Sequence, residues 1–271
     1  MNFISLSSRA EANFQLLFTL AVDDARETGR THFFYPAGED PTIVYPIQRL
    51  EKIGIRGRPL SLNSQGQLTR KTLQETLSPR TALLSLSWAN EWTGVIHPLH
   101  DLIEVCRENQ VKIHVDVTAC KGSLDCTDLG VDYVTFDGGI LSRTPLPIMT
   151  TSSAATKILA PEAHFEAARL RAFFEESIPA HIFFREAERL PHISAIAYPG
   201  VHHELLAFHL QRLGVHASAG RLAALLQASG VSPELAYSAL TFDFSQKSEE
   251  EVLRLIDILR TTMKKMEPLI L

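Results

Sequence analysis

Apolar residues recur with helical spacing from Glu11 to about Glu27 and predict a first helix. "THFFYP" reads as a short strand ended by proline, and "PTIVYPIQRLEKIG" as a second helix closed by Gly54 as its C-cap. "IRGRPLSLNSQGQL" gives strand and turn, and "TRKTLQETL" a third helix. "TALLSLSW" is a near-continuous apolar run, the pattern of a strand buried on both faces of a parallel sheet. "PLHDLIEVCRENQ" predicts another helix, and "VKIHVDV" and "VDYVTFD" predict two further strands. Strands alternating with helices at this spacing imply a doubly wound α/β sheet. Right-handed crossovers would gather the strand C-termini on one edge, where ligands bind such sheets. That edge would carry Trp88–Glu91, Asp116–Thr118 and Asp137–Ile140.

The pattern changes in the second half. A partly polar helical stretch is expected from about Pro161 to Arg189. It is followed by "HISAIAYPG", "HHELLAFHLQRLG", "VHASAG", "SPELAYSALTFDFS" and a last helix over Ser248–Met266. Ser248 suits the N-cap of that helix, with Glu249 to Glu251 on the positive end of its dipole. Short strands mixed with helices imply a small α+β domain. The expected division is 1–175, a large domain with its connecting helix, and 176–271.

Composition narrows the function classes. The chain has 271 residues and a formal net charge of −5, with acids and bases mixed along its length. Without a basic stripe it does not read as a nucleic-acid binder. The apolar run Phe14 to Val22 contains Gln15 and lacks a secretory signal's positive flank and cleavage site. No apolar run approaches membrane-spanning length, so no membrane partner is expected. Cys106, Cys120 and Cys126 are odd in number and match no zinc spacing, which suits a reduced, cytoplasmic protein without a metal site.

The order of motifs carries a resemblance. The run from "GRTHFFYPAGEDP" through "SWANEWTGVIHPLHDLIEVCRENQVKIHVDVTACKGSLDCTDLGVDYVTFD" closely resembles the NifS/IscS-type cysteine desulfurases, in the class V aminotransferase group of the fold-type I pyridoxal phosphate superfamily. "TGVIHPL", "IHVDVTACKG" and "LGVDYVTF" match almost position by position, and "VHASAG" with "GVSPELAYSALTFDFSQKSEEEV" resembles the small-domain signature. The similarity runs from about Phe3 to Met266, shortened between Pro145 and Pro161. It implies an aminotransferase-like, mostly parallel sheet flanked by helices and truncated at the N-terminus, with a small C-terminal α+β domain. It also implies a homodimer, or pairing with an active desulfurase or a sulfur-transfer protein.

Carried over residue by residue, the family's chemistry is mostly missing. Asp116 matches the aspartate that keeps the cofactor's pyridine nitrogen protonated, so that the ring acts as an electron sink. Ile140 stands at the Schiff-base lysine position and cannot form an imine. Asp40 replaces the histidine that stacks on the ring, and Gly220 replaces the nucleophilic cysteine. Thr241 stands where an arginine would clamp the substrate carboxylate. Glu91 takes the place of the second asparagine in the family's pair, and Ala119 that of a glutamine. In the phosphate-binding stretch Ser7 and Ser8 remain as donors and Arg9 as a charge, although a simple serine N-cap explains the serines as well. The resemblance therefore implies a vestigial pocket of Asp116, Glu91, Ser7 and Ser8 with no catalytic residue.

Replacement chemistry finds little support in the sequence. Cys120 follows the Asp116 strand but reads as a packing residue, as does Cys106 on a helix's apolar face. Lys121 lies beyond a turn. His202 and His203 are adjacent and make a poor metal pair, while His97, His100 and His114 are spread over several elements. Trp88 and Trp92 read as fillers of a vacated pocket. The expectation is a pseudoenzyme without cofactor, with a binding or scaffold role in sulfur transfer or iron–sulfur assembly. The alternative is an active enzyme of altered specificity that holds pyridoxal phosphate non-covalently through Asp116.

Overall fold

The computed structural model describes residues 2–120, 129–142 and 165–266. Two compact units emerge. One holds the described residues of 1–63, 67–89 and 97–162, the other those of 64–66, 90–96 and 163–271. The boundary expected at 175 falls inside the helix Phe165–Ser177, which belongs whole to the second unit.

The first unit is an α/β sheet flanked by helices. In chain order it comprises β1 (Asn2–Ser5), α1 (Arg9–Val22), α2 (Asp24–Thr28), β2 (His32–Pro36), α3 (Pro41–Leu50) and β3 (Arg56–Leu60). These are followed by α4 (Arg70–Thr76), β4 (Thr81–Ser87), α5 (Leu99–Glu108), β5 (Lys112–Asp116), β6 (Tyr133–Phe136) and β7 (Gly139–Ser142). The strand order is β1-β7-β6-β5-β4-β2-β3, parallel from β3 to β6 and antiparallel at the two β7 pairings. β4 is buried along nearly its whole length, as its unbroken apolar run requires. Leu16, Leu17 and Leu20 of α1 and Ile43 and Ile47 of α3 close a core against Phe33, Tyr133 and Ile140.

Sequence patterning missed β1 and β7. β6 does not simply end at the glycines. It turns back through Asp137 and Gly138, and Gly138 has the positive φ of 114° that such a turn demands. β1, at four residues too short to signal itself, pairs with β7.

The second unit contains α6 (Phe165–Ser177), β8 (His181–Ile182), β9 (Ile193–Ala197), α7 (His203–Arg212), α8 (Leu222–Ala228), α9 (Pro233–Ala236), β10 (Ala239–Asp243) and α10 (Glu249–Met266). Its antiparallel sheet runs β10-β9-β8. The helix expected as far as Arg189 stops at Ser177, two residues before Pro179, because proline cannot supply the next helical N–H. α10 begins as expected: Ser248 Oγ accepts from Glu251 N, and Ser248 N donates back to the Glu251 carboxylate.

Candidate functional site

In the first unit the polar side chains gather at the C-terminal ends of the parallel strands. Asp116 ends β5 and is buried. Its Oδ1 accepts from Thr118 N at 2.9 Å. Its Oδ2 accepts from Arg9 Nε and from Asn13 Nδ2, each at 2.8 Å. Arg9 and Asn13 stand one helical turn apart on α1, so both reach the same oxygen. Burial by itself would raise the carboxyl's pKa. The Arg9 charge, with hydrogen bonds from Arg9, Asn13 and Thr118, instead holds it below the usual carboxylate range.

An ionised Asp116 only accepts, and this fixes the direction of a hydrogen-bond chain behind it. Asn13 must present its amide nitrogen to Asp116, so its oxygen accepts from Thr135 Oγ1 at 2.6 Å. The Thr135 proton is thereby used, so His114 Nε2–H donates to Thr135 and Nδ1 accepts from Ser85 Oγ, both at 2.8 Å. His114 is neutral, its pKa pushed by burial down to about 4. Asn13 Nδ2 also donates to Thr42 Oγ1 at 2.8 Å, and Thr42 donates on to Asp40.

Arg9 spans the rest of the edge. Its NH1 lies 3.4 Å from Asp40 Oδ2, its NH2 donates to Ser87 Oγ at 3.3 Å, and its backbone N donates to Asp137 Oδ1 at 3.0 Å. Ser87, at the end of β4, donates through its hydroxyl and its N–H to Glu39. Glu39 is fully buried, and desolvation raises its pKa to about 7. Bonds from Asp40 N and Ser87 oppose that rise, and the Asp116 charge adds to it.

The residues singled out from sequence fall as follows. Ile140 is fully buried, opposite Ile4 of β1 and Thr135 of β6, inside the apolar core under α1. Asp40 is the N-cap of α3 and accepts from Thr42 N at 2.8 Å. Ser8 is the N-cap of α1, accepting from Glu11 N, while Ser7 gives both its N–H and its hydroxyl to the Glu11 carboxylate. Both serines are thus engaged in starting the helix. Glu91 is half-buried and sits in the 90–96 segment, which groups with the second unit.

Within the second unit, Trp92 lies over Gly220. A Cβ on Gly220 would stand 2.5 Å from Trp92 Cζ3 and 2.9 Å from Cζ2, closer still to Cη2, and the residue has φ +37°. Thr241, on β10, donates its hydroxyl to Trp92 O at 2.6 Å, and Asn90 Oδ1 accepts from Trp92 N at 2.9 Å. The positions that the resemblance matches to a cysteine and a substrate arginine thus lie against one tryptophan: Gly220 leaves room for its ring and Thr241 bonds its carbonyl.

Residues 10–139 match the aminotransferase class-V family. A cysteine desulfurase of Klebsiella pneumoniae is 33% identical over 86 residues, covering 32% of this chain and 22% of that protein. Cysteine desulfurase IscS 1 of Archaeoglobus fulgidus is 22% identical across 98% of this chain and 82% of its own length. In fold, a NifS-like protein superposes with a TM-score of 0.82 at 20% identity, over 97% of this chain and 82% of its own. The chain is thus similar to NifS/IscS-type cysteine desulfurases in sequence and in fold.

The other residues singled out from sequence are placed as follows. Cys120 is buried with its thiol toward Val117 O, and burial lifts the Cys106 thiol to about 12. His97 is buried, accepts from Leu68 N, and is held near 4 by burial, whereas His100 is exposed. His202 caps α7, and its ring lies 4.6 Å from that of His203. Among the described residues no group of three or more His, Cys, Asp or Glu is placed to hold a metal, and no helix is long and apolar enough to cross a membrane. Lys121 and Cys126 lie outside the described residues. The roles of Asn13, Glu39, Thr135 and His114 were missed from sequence. Asn13 left a readable sign, a polar residue on the stripe Asn13, Leu16, Leu17, Leu20 that α1 buries.

Proposed function

We propose that this cysteine desulfurase-like chain has no pyridoxal-phosphate catalysis and acts in the cytoplasm as a binding or scaffold protein, in sulfur transfer or iron–sulfur assembly. Ile140 carries the reading. A Schiff base needs an amine facing the cofactor, and this position holds a fully buried aliphatic side chain in the core under α1. The residues present do not fit the cofactor elsewhere either. Asp116 has its oxygens engaged by Arg9, Asn13 and Thr118, Asp40 offers a carboxylate in place of a stacking ring, and Ser7 and Ser8 are spent on the α1 cap. Trp92 over Gly220 supports the loss of the sulfur-accepting nucleophile. Its partners would be a second copy of the chain, an active desulfurase or a sulfur-transfer protein.

The buried, ionised Asp116 favours one competing reading, an enzyme that holds pyridoxal phosphate non-covalently. Absorbance and thermal-shift measurements with and without the cofactor separate the two, alongside sulfide release from cysteine. The proposal expects a colourless protein, an unchanged melting temperature and no sulfide. A cofactor-dependent rise in melting temperature, or sulfide release abolished by changing Cys120, would overturn it. Light scattering on the purified chain tests the homodimer.

A further inference from the structure

We propose that Arg9 is the resident occupant of the ligand position at the sheet edge, a built-in planar cation that closes this socket from within. The proposal rests on the reading that the chain holds no pyridoxal phosphate there. Open α/β sheets bind ligands just outside the carboxyl ends of their strands, and here the Arg9 guanidinium lies at that place. The guanidinium meets Asp116 at the end of β5 (2.8 Å), Asp40 ahead of α3 (3.4 Å) and Ser87 at the end of β4 (3.3 Å), while the Arg9 backbone N–H donates to Asp137 after β6 (3.0 Å). The Arg9 side chain is only 14% exposed and that of Asp116 is fully buried, so the pair sits away from solvent.

The geometry selects a planar cation with several N–H donors. Asp116 Oδ2 takes one N–H of the guanidinium and the Asn13 amide. The Ser87 hydroxyl proton is directed at Glu39 Oε1 at 2.7 Å, which leaves the Ser87 lone pairs to face Arg9 NH2. Asp40 is held in place by its own capping bond to Thr42 N and by the Thr42 hydroxyl. These acceptors are fixed by strands and a helix start rather than by Arg9, so the socket persists as a shape when the side chain is removed. Without Arg9 the carboxylates of Asp116 and Asp40 would face one another across a gap with no counter-charge from that side chain. Such a gap takes small guanidinium or amidinium ions and rejects both anions and bulky quaternary ammonium ions.

Chemical rescue tests this. Arg9→Ala is compared with wild type by thermal shift in methylguanidinium chloride at low, non-denaturing concentration, with tetramethylammonium chloride at equal ionic strength as control. Arg9→Ala should melt several degrees below wild type and recover along a saturable methylguanidinium curve. Tetramethylammonium should leave it unmoved, and wild type should respond to neither salt. An Arg9→Ala protein as stable as wild type, or one whose response to methylguanidinium is no greater than that of wild type, overturns the proposal. Should Arg9→Ala fail to fold, Arg9→Lys keeps the charge but loses the planar donor set and should melt measurably below wild type. Equality with wild type would show that charge alone suffices and would overturn the proposal. Pyridoxal phosphate is added to wild type in parallel. If it leaves wild type unmoved while rescue fails, the occupant proposal falls alone. If it raises the wild-type melting temperature, the occupant proposal and the proposed function fall together.

Discussion

Gly220 is the place where a single added carbon tests most about this chain. In Gly220→Ala the new Cβ would sit 2.5 Å from Trp92 Cζ3 and 2.9 Å from Cζ2, far inside van der Waals contact. Trp92 is not free to swing aside, because its backbone is held by Asn90 and by Thr241 and its ring packs on the cluster of Val95, Phe183 and Leu222. Overpacking of this kind costs about 1–3 kcal/mol. The φ of +37° adds about 1 kcal/mol for a residue with a side chain. Gly220→Ala should therefore lose about 2–4 kcal/mol, and Gly220→Cys at least as much. Urea denaturation followed by circular dichroism measures the loss in Gly220→Ala, Trp92→Ala and the double variant. With the ring gone, the clash disappears, so the double variant should be more stable than the summed singles by about 1–3 kcal/mol. Gly220→Ala within about 0.5 kcal/mol of wild type, or strictly additive losses, would refute the reasoning. The functional corollary is that Gly220→Cys alone should restore no sulfide release.

The site and its supports yield three further expectations. Glu39 has a raised pKa, so its folded form favours the neutral acid. Its contribution is present below about pH 4.5 and is lost as pH rises through about 7, by about 3 kcal/mol at most. The stability of wild type relative to Glu39→Gln should accordingly fall between about pH 5 and 8, and a pH-independent difference in denaturation midpoint would contradict it. Ile140→Lys puts an ammonium among Ile4, Leu16 and Tyr133 and should cost about 4 kcal/mol or more, read as insoluble expression or a lowered urea midpoint, with no cofactor absorbance gained. Ser8→Ala removes the α1 cap and should cost about 1 kcal/mol in the same assay. Loss of much more would mean that Ser8 does something besides capping.

Local patterns were legible because the interactions that make them lie within one turn of chain. Gly54, with φ +98°, ends not α3 itself but the 3-10 turn Glu51–Ile53 that follows it, Asp40 caps at Thr42, and Ser248 and Glu251 form a reciprocal cap, each an interaction among a few neighbouring residues. Apolar runs such as Thr81–Ser87 likewise announced buried parallel strands. The absence of an amine at Ile140 and of a thiol at Gly220 is also a property of the sequence set beside the desulfurases it resembles, and needs no coordinates. Tertiary structure alone decided what stands in their place. Arg9 meets Asp116 across 107 residues, Thr135 meets Asn13 across 122, and Trp92 meets Thr241 across 149. Arg9, in sequence a charge beside two serines, is aimed at the end of β5 by the helix turn it shares with Asn13. Periodicity specifies which face of an element is buried. Which distant side chains meet there depends on strand order and register, and those follow from packing the whole sheet at once.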